Sequence, residues 1–136
     1  MARLLINPEE LYDGAPIGMS QGVVDTSSGL VFISGQVDWD RNHQVSDVTV
    51  PGQLTSALQK LKIALEAADA GIETLLHLRI YVRGELEDHM EMLAPILSGF
   101  LRGTRPAVTG IGVASLASRE TLVEVEAVAR KRASSP

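Results

Sequence analysis

The stretch TRPAVTGIGV, Thr104 to Val113, is typical of a β-strand, but it is lined with very small residues. Ala107, Gly110 and Gly112 leave a floor that has almost no side chains. Glycine inside a strand loses packing and costs conformational entropy, so we expect something else to lie against this floor. What lies there bears on whether the protein is an enzyme, and of what kind.

The segments on either side of this strand have clear periodicities. ELEDHMEMLAPILSGFL, residues 85–101, predicts an amphipathic helix with a kink or a break at Pro95. TLVEVEAVAR, residues 121–130, predicts a strand. One face of that strand carries Val123, Val125, Ala127 and Ala129, and the other carries Leu122, Glu124, Glu126, Val128 and Arg130.

The first half of the chain has a similar mixture of elements. Residues 21–35 predict a β-hairpin, and residues 36–52 predict an irregular loop. A helix is predicted from Pro51, with Gly71 as its C-terminal cap. Its apolar stripe is Leu54, Ala57, Leu58, Leu61, Leu65 and Ala68. Residues 75–84 return to a period of two, and the apolar face there is Leu76, Leu78, Ile80 and Val82.

The predicted order is β-β-α-β-α-β-β, with room for one more strand at the start. Two helices can cover one face of a mostly antiparallel sheet, so we predict an α+β fold, a two-layer sandwich. The chain has 136 residues and is expected to form a single domain, residues 1–136.

The sheet face away from the helices has an unusual composition. It is too charged for a dry core, yet it also contains large apolar side chains. A solvated face and an oligomer interface with charges paired across subunits explain it about equally well. Its expected residues are His77, Arg79, Tyr81, Leu122, Glu124, Glu126, Val128 and Arg130.

Composition excludes several classes of function. The chain has no cysteine, which excludes disulfides, thiolate catalysis and cysteine-ligated metal centres. Its net charge of −5 argues against nucleic acid as a partner. We find neither a signal peptide nor an apolar run long enough to span a membrane, so a cytoplasmic location is expected. The three histidines lack metal-ligand spacing, and no dinucleotide or phosphate-loop motif occurs, so no metal or cofactor is expected.

Glu124 is the strongest candidate for chemistry. A glutamate in the middle of a strand is disfavoured by propensity. If its face is buried, it needs partners or a raised pKa, and it becomes a candidate acid or base. If its face is exposed, it is an ordinary solvated residue.

The sequence resembles the RidA/YjgF family of reactive imine and enamine deaminases, also named after L-PSP endoribonuclease. The resemblance runs from about Ala15 to Arg130. Its pieces, in order, are APIGMSQGVV, GLVFISGQVD, QLTSALQKLKIALEAADAGIETLLHLRIYV, RPAVTGIGVASL and VEVEAVA. The resemblance implies a chorismate-mutase-like fold and a homotrimer, in which the sheets form a central barrel and clefts lie between subunits. In the family, these clefts hydrolyse imines or enamines of α-keto acids and release ammonia.

The family's functional positions fall on particular residues here. The glutamate that holds the attacking water falls on Glu124, and a backbone turn in the pocket falls on Gly35. The arginine that binds the substrate carboxylate falls on Val108, the early aromatic residue on Met19 and a family cysteine on Gly110. Loss of a bidentate arginine removes about 1.5–3 kcal/mol of interaction with a carboxylate. The cleft is therefore expected to suit a neutral or weakly polar ligand.

Three functions remain open. The protein is a family enzyme for an uncharged imine or enamine, a 2-iminobutanoate or 2-aminoacrylate deaminase with a relocated cation, or a non-catalytic trimer that binds a metabolite or a protein. Arg79 is the candidate for the relocated cation, although an interface salt bridge with Glu124 or Glu126 explains it better. Ser34 and Thr109 are expected to line the pocket, with strand-end hydrogen bonding as the alternative.

Overall fold

The computed structural model describes residues 2–134, which form one mixed sheet with two α-helices on one of its faces. The helices are α1 (Val50–Ala67) and α2 (Met90–Leu101). The strands are β1 (Arg3–Ile6), β2 (Gly22–Asp25), β3 (Leu30–Val37), β4 (Leu75–Arg83), β5 (Ala107–Val113) and β6 (Val123–Arg130). Short 3₁₀ turns lie at Ala15–Ile17, Ile72–Thr74 and Leu86–His89. The predicted two-layer α+β architecture and the additional first strand are both confirmed.

The strands lie side by side in the order β1-β2-β3-β6-β4-β5. Every pairing is antiparallel except that of β4 with β5, which is parallel. The parallel pair follows from the chain path, because α2 carries the chain back between the two strands. The last strand, β6, therefore lies in the interior of the sheet, and β5 forms one of its edges.

The core lies between the sheet and the helices, as the apolar periodicities predict. Helix α1 begins at Thr49, whose hydroxyl oxygen accepts a hydrogen bond from the amide of Gly52, and Pro51 occupies its first turn. Its predicted stripe is buried against the sheet. The predicted alternation of β6 is also confirmed, since Val123, Val125, Ala127 and Ala129 are all buried.

The predicted cap at Gly71 is wrong. Helix α1 ends at Ala67 with Ala68 as its C-cap, and Asp69 adopts the left-handed conformation with φ +56°. Aspartate tolerates this conformation, so the chain reverses before it reaches the glycine. Gly71 is extended, at φ −162°, and a side chain there would collide with the carboxylate of Glu73.

The prediction that Leu76 belongs to the apolar, buried face of β4 is wrong. Leu76 is 42% exposed, and Leu75 is buried in its place. The pairing of β4 with β6 shifts between Leu75 and His77, so the alternation changes phase at that point. From Leu78 onward the strand follows the predicted pattern.

Helix α2 runs without a break through Pro95, which contradicts a break at that residue. Glu91 and Pro95 are both exposed. Water can therefore hydrogen-bond to the carbonyl group of Glu91, which the missing N–H of Pro95 leaves free. None of the helices in residues 2–134 is at once long and apolar enough to cross a membrane.

The glycines of β5 are explained by a neighbouring segment of the same chain. A Cβ atom on Gly112 would lie 2.4 Å from the carbonyl oxygen of Gly84. A Cβ atom on Gly110 would lie 2.9 Å from a methyl group of Leu86. The turn between β4 and α2 therefore lies directly against this strand, which admits no larger residue at position 112.

Candidate active site

A cavity of 520 Å³ opens near the point where β3 and β6 pair. Three segments surround it: residues 12–19, the Ser34–Gly35 turn in β3, and the loop that follows β3. Its lining consists of Tyr12, Asp13, Gly14, Pro16, Ile17, Met19, Ser34, Gly35, Trp39, His43, Ala117 and Glu124. Most of this surface is apolar, which is usual for small-molecule pockets.

Glu124 lies directly against Gly35. A Cβ atom at position 35 would be 2.4 Å from the carboxyl carbon of Glu124 and 2.7 Å from one of its oxygens. The pairing of β3 with β6 is irregular between Ile33 and Gln36, which brings this turn over the carboxylate. Glycine at position 35 is thus a steric requirement for the present position of the Glu124 side chain.

The carboxylate of Glu124 has no hydrogen-bond or ion-pair partner among residues 2–134. Burial raises its pKa above the ordinary value, and the negative charge of Glu126 on the same strand raises it further. A carboxylate of this kind is a better proton acceptor than a fully solvated one.

Buried glutamines support the segment on the other side of the cavity. The Gln21 amide donates to the carbonyl oxygen of Tyr12 at 2.8 Å, and the Gln36 amide donates to the side-chain oxygen of Gln21 at 2.9 Å. The Ser34 hydroxyl donates to the carbonyl oxygen of Ser20 at 2.6 Å. These bonds tie the 12–20 segment to β3 and fix the position of Tyr12.

Three aromatic rings meet at the wall of the cavity. The ring centroids of Tyr12 and Trp39 are 5.2 Å apart, and that of His43 lies 5.1 Å from Tyr12 and 5.0 Å from Trp39. The Tyr12 hydroxyl donates to the sulfur of Met19 at 3.7 Å. Burial raises the pKa of Tyr12, and the negative charge of Glu124 contributes to the same shift.

A buried carboxylate holds the loop that supplies Trp39 and His43. Asp38 accepts hydrogen bonds from the hydroxyls of Ser46 and Ser56 and from the amides of Ser46 and Asp47, at 2.6–3.0 Å. Burial alone would raise the pKa of Asp38, but these donors outweigh it and hold the pKa below its ordinary value. The loop is thereby fastened to the first turns of α1.

The predicted site residues form two groups on opposite faces of the sheet. Met19, Gly35 and Glu124 lie together in the 520 Å³ cavity, with Ser34 beside them. Val108 and Gly110 line a separate apolar cavity of 240 Å³ beneath α2. Val108 is 42% exposed, because β5 is an edge strand.

Arg79 and Thr109 lie on the same sheet face as Glu124 but contact other residues. A guanidinium nitrogen of Arg79 is 3.9 Å from the carboxylate of Glu126, which also accepts a hydrogen bond from Tyr81. The Thr109 hydroxyl is 3.3 Å from the imidazole of His77. The pair of Arg79 and Glu126 lies within one chain, whereas the sequence suggested a salt bridge of Arg79 with Glu124 or Glu126 across an interface.

Tyr12, Trp39 and His43 were not identified from the sequence as candidate site residues. They lie in irregular segments, where no periodicity indicates a direction for the side chain. Their rarity in the sequence is what could have drawn attention to them. The chain has only one Trp, two Tyr and two Phe, and two of these five residues meet at the cavity. Within residues 2–134 no cluster of three or more His, Cys, Asp or Glu side chains is arranged to hold a metal ion.

Comparison with known proteins identifies related sequences and structures. A family model described as Endoribonuclease L-PSP matches residues 15–131. The chain is similar to YyfB of Yersinia pestis, a protein of unknown function of the Rid protein family, with 33% sequence identity. That match covers 96% of this chain and 99% of YyfB, with a TM-score of 0.71. No curated protein gives a significant match.

Two further solved structures share the fold at lower identity. YyfA of Yersinia pestis, also of the Rid protein family, is 20% identical, with 95% of this chain and 99% of that chain covered and a TM-score of 0.83. A member of the YjgF/YER057c/UK114 family from Mycobacterium tuberculosis is 23% identical, with 94% and 98% covered and a TM-score of 0.76. The expected chorismate-mutase-like, L-PSP-type arrangement of helices and sheet is therefore confirmed.

Proposed function

The chain belongs to the RidA/YjgF family, and on this premise we propose that it hydrolyses a small imine or enamine that carries no carboxylate group. The observation that carries this proposal is the position of Glu124. Its carboxylate lies in a largely apolar cavity, against Gly35, and has no hydrogen-bond or ion-pair partner among residues 2–134.

In the proposed reaction, Glu124 orients a water molecule and accepts one of its protons as the oxygen attacks the imine carbon. Glu124 passes this proton to the imine nitrogen, so the C=N bond becomes a C–N single bond and the adduct carries a hydroxyl group and an amine on the same carbon. Glu124 then takes the proton of the hydroxyl group and delivers it to the amine, the C–N bond breaks, and ammonia leaves as the carbonyl product forms. The raised pKa of Glu124 supports these proton transfers, since it brings the carboxyl closer to neutral pH.

The absence of a carboxylate on the substrate is supported by the residues around the cavity. Among the described residues, no lysine or arginine lines it. By the family resemblance, Val108 stands at the position of the carboxylate-binding arginine, so this position supplies no cation to a cleft between subunits, and an anionic group bound there would lose hydration without compensation. Arg79 is engaged with Glu126, which disfavours its use as a relocated clamp.

The proposal includes a homotrimer with clefts between subunits. A row of apolar residues crosses four adjacent strands at one register: Leu5, Val23, Phe32 and Val128. Leu5 is 53% exposed and Phe32 is 47% exposed, although they lie on a broad sheet face. A second copy covering this face would bury them, and clefts between subunits are what the family resemblance implies.

The trimer is tested by static light scattering of the wild type, Phe32→Glu and Val48→Glu. Val48 is 87% exposed and lies outside the row, so it is the matched control for introducing a carboxylate at an exposed apolar residue. We expect trimers for the wild type and the control, and dissociation for Phe32→Glu. A wild type that remains monomeric at high concentration contradicts this part of the proposal.

The reaction is tested with two imines generated in situ by flavin-dependent oxidases, one from benzylamine and one from 2-aminobutyrate. We expect the wild type to accelerate ammonia release from the first imine and not from the second. Glu124→Gln should abolish the acceleration while the protein stays folded, and Val108→Arg should improve turnover of the carboxylate-bearing imine. Faster hydrolysis of 2-iminobutanoate by the wild type would indicate a relocated clamp, and no acceleration of either imine would indicate a binding protein.

A further inference from the structure

The charges around the 520 Å³ cavity have one sign. Glu124 and Asp13 line it, and no lysine or arginine among residues 2–134 does. Asp13 is exposed and accepts a hydrogen bond from the amide of Ala15 at 2.9 Å, whereas no donor in the described part of the chain bonds to the carboxylate of Glu124. A ligand that fills the cavity therefore meets a negative charge that the described residues leave uncompensated.

The aromatic cluster adds a second preference of the same kind. Tyr12, Trp39 and His43 line the same cavity and lie about 5 Å from one another. The faces of aromatic rings attract cations through their quadrupole, within about 6 Å of the ring centre. His43 is held in the left-handed conformation, at φ +63°, and its amide donates to the carbonyl oxygen of Asp40 at 3.0 Å.

We infer that the cavity selects organic cations, namely molecules with a protonated amine or iminium group on an apolar body and no carboxylate. The N–H groups of the cation donate to Glu124, and the apolar body packs against the aromatic cluster. The location of the site rests on the proposed function. What is new in the inference is that the bound species is positively charged. An iminium ion is more electrophilic than its neutral imine, and the sum RCH=NH₂⁺ + H₂O → RCHO + NH₄⁺ balances in atoms and charge.

The inference also indicates the class of reaction that supplies the substrate. An imine with no carboxylate arises when a primary amine loses two electrons and two protons to an oxidant. The protein would then act after an amine oxidation, whereas oxidation of an amino acid supplies an imine that bears a carboxylate.

The test uses three benzyl compounds of similar size and different charge. Benzylamine is protonated at pH 7, benzyl alcohol is neutral, and benzoate is an anion. We expect isothermal titration of the wild type to give about tenfold or tighter binding for benzylamine than for benzyl alcohol, as hydrogen bonds to a charged group imply. Benzoate is expected not to bind. Equal affinity for amine and alcohol, or a preference for benzoate, would overturn the inference.

Two variants locate the source of the preference. Glu124→Gln should lose most of the preference for the amine over the alcohol, because the amide keeps the shape and removes the charge while the aromatic cluster remains. Glu126→Gln is the matched control: it removes the same charge two residues along β6, from a carboxylate bonded to Tyr81 and Arg79, and it should keep the preference for the amine. Loss of the preference in Glu126→Gln alone would contradict the assignment to Glu124.

Binding and hydrolysis are measured separately, so the two proposals fail separately. Cation-selective binding without hydrolysis of the benzylamine-derived imine would leave the inference intact and reject the catalytic proposal. Hydrolysis of that imine with no preference for benzylamine over benzyl alcohol would support the catalytic proposal and reject the inference of cation selectivity.

Discussion

Two carboxylates near the same cavity have opposite environments. Asp38 is 1% exposed and accepts four hydrogen bonds, and its pKa lies below the ordinary value. Glu124 is half-buried and has no donor within residues 2–134, and its pKa lies above the ordinary value. Burial acts in the same direction on both, so the donors account for the difference.

The comparison shows that Asp38 is a structural carboxylate, whereas the carboxylate of Glu124 is free to bind a ligand. The oxygens of Asp38 are fully used in fastening the loop after β3 to α1, which leaves it no capacity for a ligand. The oxygens of Glu124 accept no hydrogen bond from the described residues, so the free energy lost by burying them is recovered when a ligand or water donates to them.

The largest effect is expected for Asp38→Ala, which leaves four donors without their acceptor. Bonds to a charged group contribute about 1.5–3 kcal/mol each and are not additive, so we expect a loss of roughly 3 kcal/mol in the free energy of unfolding. Urea denaturation measures it. Asp40→Ala, an exposed carboxylate in the same loop, should cost far less, and equal losses would show that Asp38 has no special role.

The next effect is expected for Gly35→Ala. The added methyl group would lie 2.4 Å from the carboxyl carbon of Glu124, so the carboxylate must move. Because the side chain is flexible, the fold should be retained while benzylamine binding falls by about tenfold, or about 1.4 kcal/mol. Calorimetric titration and a melting curve measure the two quantities. Unchanged binding would show that the position of the Glu124 carboxylate is unimportant.

Opposite pH dependences are expected for the two carboxylates. The folded-state pKa of Asp38 is lowered, so its contribution to stability is present above the unfolded-state pKa of about 4 and is lost as the pH falls through the folded-state value. The folded-state pKa of Glu124 is raised, so the wild type loses stability as the pH rises from about 4 through the folded-state value.

Glu124→Gln should therefore melt at a higher temperature than the wild type at pH 7 and at the same temperature below pH 4. Because the side chain is half-exposed and solvent screens its charge, the gain should be below about 1 kcal/mol. Melting curves from pH 3 to 8 measure it. A variant that is less stable than the wild type at pH 7 would show that Glu124 has a stabilising partner.

The smallest effect is expected for Arg79→Gln. The Arg79 side chain is 42% exposed and one of its guanidinium nitrogens lies 3.9 Å from the Glu126 carboxylate, so the pair should contribute less than about 1 kcal/mol. Urea denaturation at low and high salt measures this. A loss above 2 kcal/mol, or a change in light scattering, would indicate that Arg79 acts across a subunit interface.

The sequence predicted the parts of the fold that repeat. The alternation in β6 and the helical spacing in α1 both persist over several residues. Each pattern is visible in the sequence because its apolar side chains are all buried in the same core. Leu76 was misplaced because a one-residue shift in pairing leaves no mark in the composition of a strand. Gly71 was misplaced as a cap because Asp69 tolerates the same backbone conformation.

The candidate site was predicted less completely than the fold. Glu124 stood out because a carboxylate is unusual in the middle of a strand. Trp39 and His43 gave no such signal, because their positions depend on the hydrogen bonds of Asp38, which are known only from the folded loop. Which residues join Glu124 depends on long-range contacts of this kind, so periodicity could not supply them.

The interior position of β6 has a consequence for how the protein is made. Strands β1, β2 and β3 form one half of the sheet and β4 and β5 the other, and within residues 2–134 β6 is the strand that pairs with both halves. A ribosome delivers residues 123–130 after both halves have been synthesised, so a nascent chain holds two unconnected half-sheets until that point. Pairing of β3 with β6 then links residues 30 and 130, and such distant contacts fold slowly. The newly made chain is therefore most vulnerable to aggregation and to chaperone capture just before its last strand emerges.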